Sequence, residues 1–196
     1  MLNIELKARC EDLGKLRERC ESMGAESQDP ERQIDTYFKV AHGRLKLRES
    51  LQSGSEMIFY VRGDVAGARE SHYQLYRVED AEGLKAILEK ALGVKAVVAK
   101  RREIYLIGNV RVHLDKVQDL GSFVELEGIV ENLAELVYVG DEVQRLRQAL
   151  GIEDHALVKE SYADLMGTVE VSRRPRDDRP ARPLNPTFSP EGRRNG

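Results

Sequence analysis

The residues that most constrain this chain stand at its start. In Asn3-Ile4-Glu5-Leu6-Lys7-Ala8-Arg9 every second residue is polar or charged, and the residues between are apolar. A strand sends successive side chains to opposite faces, so Asn3, Glu5, Lys7 and Arg9 share one face and Ile4, Leu6 and Ala8 the other. Arg111-Val112-His113-Leu114-Asp115 and Phe123-Val124-Glu125-Leu126-Glu127 repeat the pattern far downstream. One such segment alone reads as a half-exposed antiparallel strand with its charges in water. Its recurrence calls for a shared charged face.

Length and composition narrow the alternatives. A chain of 196 residues suits one domain with a substantial core and leaves room for an appendage. No apolar run approaches the roughly 20 residues of a membrane helix, and Glu5 and Lys7 break up any secretory leader. Cys10 and Cys20 are then expected as reduced thiols, and the four histidines make no zinc-type spacing with them. A cytoplasmic address follows as an expectation. Net charge is −3, with seven arginines against four acids in residues 167–196. The acidic remainder excludes a broad basic surface for nucleic acid, though not a concave basic site inside an acidic shell.

Along the chain, Glu11 to Met23 has helical apolar spacing and stops at Gly24, and Asp29-Pro30 reads as a loop. Gln33–Val40, Arg44–Glu49 and Met57–Arg62 follow as strands separated by turns. Gly63 to Arg69 reads as a loop and His72–Val78 as a strand. Asp80 then caps a helix carrying Leu84, Ile87, Leu88, Ala91 and Leu92. Val97–Ile107, Val110–Val117 and Phe123–Val130 are strands. A helix over 133–150 presents Leu136, Val139, Val143, Leu146 and Leu150, and 159–166 can form a last short helix. Strand, helix and three strands thus occur twice, which suggests an internal duplication. Five of the six prolines fall between Pro175 and Pro190, so 167–196 is expected to be a disordered Arg/Pro-rich tail after a domain of residues 1–166.

About eight antiparallel strands with amphipathic helices can form a half-open sheet or a closed barrel. If the sheet curls, its charged faces line an interior, where charges must be paired or bound to ions. A metal and a polyanion would satisfy both signs.

Asn3-x-Glu5-x-Lys7 resembles the ExExK signature of the CYTH or triphosphate tunnel metalloenzyme superfamily, with Asn3 in place of the first acid. Asp35-Thr36-Tyr37-Phe38, Leu45-Lys46-Leu47-Arg48, Lys100-Arg101-Arg102, the strands carrying Arg111 to Asp115 and Glu125 to Glu127, and Ser161-Tyr162-x-Asp164-Leu165 follow in the expected order. The whole is most similar to bacterial class IV adenylate cyclase-like proteins. The resemblance implies an α+β fold, an eight-stranded antiparallel barrel with a charged lumen and helices outside. It implies Mg²⁺ or Mn²⁺ held by Glu5, Asp115, Glu125 and Glu127, and a triphosphate held by Lys7, Arg48, Arg62, Lys100, Arg102 and Arg111. Glu5 and Lys7 would stand at the chemistry. Lys39 and Lys46 are expected at a tunnel mouth, Asp35 as a capping or solvated acid, and His113 and Tyr37 as hydrogen-bonding groups.

The implied partner is a small-molecule triphosphate such as ATP or tripolyphosphate, with no nucleic acid or membrane involved and a homodimer compatible. Thiamine triphosphate is least favoured, since no aromatic cluster stands out. Cyclisation of ATP and hydrolysis of a triphosphate both suit the residues. A non-catalytic polyphosphate- or nucleotide-binding module is the alternative.

Overall fold

The fold is drawn from a computed structural model, which describes residues 1–173. Eight strands close into a barrel: β1 (Leu2–Arg9), β2 (Glu26–Phe38), β3 (Arg44–Ser50), β4 (Gly54–Arg62), β5 (Arg69–Val78), β6 (Val94–Ile107), β7 (Val110–Val117) and β8 (Gly121–Val130). Around the ring the order is β1-β5-β4-β3-β2-β6-β7-β8, antiparallel throughout. The α-helices among the described residues are α1 (Leu13–Ser22), α2 (Ala81–Leu92), α3 (Leu136–Ala149) and α4 (Tyr162–Arg173). The half-open alternative is thereby excluded.

The suggested duplication is visible in the topology. Exchanging β1–β4 with β5–β8 leaves the order around the ring unchanged, because each half's first strand completes the other half's meander. The registers agree as well. Asp35 of β2 lies opposite Arg48 of β3 just as Arg102 of β6 lies opposite Asp115 of β7, at the same separation along the chain. The second half repeats the first with the charges of this pair reversed.

The alternation decides which face goes where. Leu6, Val112, Leu114, Val124 and Leu126 point outward and are fully buried beneath Val139, Val143 and Leu146 of α3 and Leu16 and Cys20 of α1. The period-3.6 stripe of α3 supplies the complementary surface. Asp12 caps α1 by accepting from the Lys15 amide, and Gly24 follows it at φ 74°. Asp80 caps α2 in the same way through Gly83. The apolar positions of α2, however, are not buried, and Ile87 is 64% exposed.

One expected loop is strand instead, and the loop expected from Gly63 gives way to strand one residue early, at Arg69. β2 runs straight through Asp29-Pro30, where its register against β6 shifts between Gln28 and Glu31. An irregularity of this kind tolerates a residue with no amide proton. β5 begins at Arg69, whose alignment opposite Glu5 of β1 only closure of the barrel creates. The last helix starts at Tyr162 and runs on to Arg173, into the stretch assigned to the tail. The rest of that tail, from residue 174, lies outside the described residues. Both cysteines are free, and among the described residues no helix is long and apolar enough to cross a membrane.

Gly128 of β8 sits directly under α3. A Cβ there would stand 2.5 Å from Val139 Cγ1 and 2.8 Å from Val143 Cγ2. We expect Gly128→Ala to cost about 1–3 kcal/mol by lifting the helix. Urea unfolding measures this, and wild-type stability would mean that α3 shifts without loss.

Candidate active site

The inward faces of the strands enclose a cavity of about 500 Å³ lined by ionisable side chains from both halves. Glu5, Lys7, Arg48, Arg62, Lys100, Arg102, Arg111, Glu125 and Glu127, all expected at the site, line it together. Of the expected set, Asp115 alone stands behind the wall. Arg101, between two inward residues, faces out and pairs with Glu103.

One side of the cavity is basic. Asp35 has no exposed surface, and three cations converge on it. Lys46 Nζ donates to Oδ2 at 2.9 Å, Lys100 Nζ to Oδ2 at 2.8 Å, and Arg48 Nε to Oδ1 at 2.8 Å. Burial alone would raise the Asp35 pKa, but Arg48, Lys100 and Lys46 outweigh it and hold the carboxyl well below its ordinary value. The same burial, with repulsion from Arg48, lowers Lys46 to about 7 against the pull of Asp35. Burial lowers Lys100 to about 8. Asp35 and Lys46 both differ from what their strands alone suggest. Asp35 is neither a cap nor solvated, and Lys46 is held deep in the lumen. Cross-strand pairing of β2 with β3 and β6 places these residues, and no single-strand pattern reports it.

The other side is acidic and lies on β1 and β8, paired so that Glu5 meets Glu127 and Lys7 meets Glu125. Glu5 accepts from Arg62 and, at 3.2 Å, from Arg69 Nε. Glu125 sits 3.1 Å from Lys7 Nζ and 2.5 Å from Arg102 Nη2. Burial pushes its pKa up, yet Lys7 and Arg102 overcome that and hold it well below its ordinary value. Burial lowers Lys7. Glu127 accepts from Asn3 Nδ2 and from Arg111 at 3.4 Å, and buried His113 lies within 4 Å of both Glu125 and Glu127.

Asp115 holds Arg102 in a two-point pair at 2.7 and 2.5 Å and accepts from Tyr162 Oη at 2.8 Å. Tyr162 is the residue whose place the sequence does not reveal. With Val158 and Ala163 it packs against Phe123, Val98 and Val117 and closes one end of the barrel. Its ring lies 3.8 Å from Lys7 Nζ and meets Phe123 edge-on at 5.0 Å. A cation over an aromatic face is stabilised and oriented by the ring quadrupole. Ser161 caps this helix with Asp164, which is tied down by Lys95 and Arg44. Arg69 is the second residue that the sequence does not signal.

Mg²⁺ and Mn²⁺ favour hard oxygen ligands and keep positions open for substrate phosphates. Among the described residues no three of His, Cys, Asp or Glu gather into a ready-made cluster. The donor chemistry nonetheless fits. The carboxylates of Glu5, Glu125 and Glu127 share the cavity with a buried Asn3 Oδ1 that has no hydrogen-bond partner among the described residues. Asn3 turns its amide nitrogen to Glu127, so its oxygen is left for a cation or a donor.

Removing Asp35 would strand three buried cations. The lysines can shed their protons, but Arg48 cannot. We expect Asp35→Ala to destabilise the protein by about 3–5 kcal/mol in urea unfolding; a loss under 1 kcal/mol would contradict this picture of the lumen. A second expectation concerns protons. Lys46 near 7 and Lys100 near 8 lie below their unfolded value, so between those values and about 10.5 the fold itself disfavours their protons. A polyanion bound against them would stabilise the ammonium forms. Tripolyphosphate binding near pH 8 should therefore take up protons, and affinity should fall from pH 7 to 9. Calorimetry in buffers of different ionisation enthalpy reads the uptake.

Comparison with known proteins gives one consistent result. The model of the CYTH domain matches residues 1–162. A Methanocaldococcus jannaschii protein provisionally named an adenylate cyclase is 27% identical over 177 residues, covering 85% of this chain and 99% of its own length. An Aeromonas hydrophila protein named adenylate cyclase is 28% identical over 149 residues, covering 74% and 75%. The solved structure of a Pyrococcus horikoshii protein superposes with a TM-score of 0.74 at 26% identity, covering 83% of this chain and 98% of that one.

Proposed function

This chain belongs to the CYTH domain family, and from that premise we propose that it is a divalent-metal-dependent enzyme acting on a triphosphate inside its barrel. The observation that supports this best is the meeting of two charge groups in one cavity. Lys46, Arg48 and Lys100, crowded on a single carboxylate, share it with Glu5, Glu125 and Glu127. A polyanion with its counter-cation would relieve both groups, whereas either ligand alone relieves one.

In this reading Arg48, Lys46, Lys100 and Arg102 bind phosphate oxygens. The guanidinium forks give directed contacts and the ammonium groups act as point charges. Arg62 and Arg111 hold Glu5 and Glu127 in place and turn toward phosphate as the substrate enters. Lys7, fixed by Glu125 and the Tyr162 ring, stands beside the reacting phosphoryl group and stabilises charge developing there. Asp115 acts through Arg102, keeping that guanidinium turned into the lumen. Glu5, Glu125 and Glu127, with Asn3 Oδ1, would hold Mg²⁺ or Mn²⁺, which when bound supplies charge neutralisation on the phosphate oxygens. The reaction is either cyclisation of ATP to cyclic AMP and pyrophosphate, as the names of the two relatives suggest, or hydrolysis of a triphosphate by water.

Product analysis with ATP and with tripolyphosphate, each with Mg²⁺ and with Mn²⁺, tests the proposal. Cyclic AMP with pyrophosphate identifies a cyclase; orthophosphate without cyclic nucleotide identifies a triphosphatase. Tight triphosphate binding without turnover would reduce the protein to a binding module. Glu127→Ala should abolish metal-dependent turnover, a loss of at least about 100-fold, while far-UV circular dichroism stays unchanged. Full activity in that variant would remove the acidic side of the cavity from the mechanism.

A further inference from the structure

The two ends of the lumen differ. Tyr162, Phe123 and Asp115 close one end and are buried. At the other end the lining residues Gln28, Ser53 and Leu75 are exposed and Glu31, Glu56 and Tyr73 are half-buried. This open end carries acids and carboxamides, and the cations gathered on Asp35 lie further in, on one side of the interior. A triphosphate is therefore drawn inward and repelled from the rim, so anything attached to it lies at the rim.

Gln33 is the informative residue there. It is 4% exposed, lines the cavity, and its Oε1 has no hydrogen-bond partner among the described residues. Its orientation is dictated by Glu31. Gln33 Nε2 donates to Glu31 Oε2 at 2.7 Å, and Ser50 and Ser53 hydroxyls donate to the same oxygen at 3.3 and 3.2 Å. A carboxylate can only accept, so the amide must present nitrogen to it and leave its oxygen on the far side. A buried acceptor without a donor is costly, and natural proteins keep few of them. Gln33 is two residues before Asp35 on the same face, about 7 Å along the strand. It lies directly opposite Lys100 in the register. Its oxygen is thus one step outward from the proposed phosphate contacts, and Ile58, Leu75, Ile104 and Tyr73 add apolar and aromatic wall to the same cavity.

We infer that Gln33 is a specificity-determining residue of a head-group subsite, one that takes a flat, amino-bearing base attached to the triphosphate, with Oε1 accepting from the amino group. This rests on the triphosphate reading above and selects within it a nucleoside triphosphate with a donor-bearing base over bare tripolyphosphate.

The test compares ATP, purine riboside triphosphate (the same molecule without its amino group) and tripolyphosphate, in wild type and in Gln33→Met, a variant of similar shape without the acceptor. Wild type should favour ATP over the amino-less analogue by about tenfold or more in kcat/KM, the scale of one buried hydrogen bond. In Gln33→Met that ratio should collapse towards one, and the loss on ATP should exceed the loss on tripolyphosphate by the same factor. Calorimetric titration of the three ligands provides the same ranking if none is turned over. An equal preference in wild type, or a ratio untouched by the substitution, overturns the inference while leaving the phosphate site standing. Failure of all three to bind removes the triphosphate reading and the inference with it. Thermal unfolding of the variant separates a local effect from misfolding.

Discussion

Three cations ending on one carboxylate with no exposed surface is an arrangement that little else in a protein would tolerate. Asp35 cannot be solvated, and Lys46, Arg48 and Lys100 cannot all be neutralised by it. Such a cluster survives where the surrounding scaffold fixes it and where burial lets the lysines shed their protons. The scaffold is the closed ring. Cross-strand pairs of β2 with β3 and β6 bring the four side chains together, and α1 and α3 on the outside bury the apolar residues that alternate with the charged ones elsewhere on the ring. The barrel's stability is thus concentrated in its outer wall and its chemistry in its inner one.

The relation between the halves explains how both signs come to share the lumen. The same register that puts Asp35 against Arg48 puts Arg102 against Asp115. Where β4 contributes Ile58 and Tyr60, the matching face of β8 contributes Glu125 and Glu127. A symmetric scaffold carrying asymmetric charge gives one basic and one acidic side without any change of backbone. A polyanion bridged by a hard cation is the ligand chemistry such a pair of sides accommodates.

Closure of one end adds direction. Tyr162 enters with the last helix and touches both the lysine of the first strand and the acid that orients Arg102. The C-terminal segment therefore belongs to the site as much as β1 does. With that end filled by aromatic and aliphatic packing, the lumen opens at the acceptor-rich rim.

Much of this was legible in the chain. Strict period-2 alternation in β1, β7 and β8 set the inward charges, since a strand offers only two faces, and the stripe on α3 set what covers the outward ones. Glu5, Lys7, Glu125 and Glu127 were thereby marked as neighbours in kind. Which charges touch was not legible, because pairing across β2, β3 and β6 joins residues far apart in sequence, and a local pattern cannot encode the register between them. Lys46 at a mouth and Asp35 in water were reasonable expectations for each strand alone, and they gave way once the sheet closed. Tyr162, Arg69 and the open oxygen of Gln33 likewise depend on which surfaces meet. The sequence by itself determined that one face of the sheet is charged and the other apolar; only the tertiary structure decided which acid holds which base, because burial and closure, not spacing, set the distances.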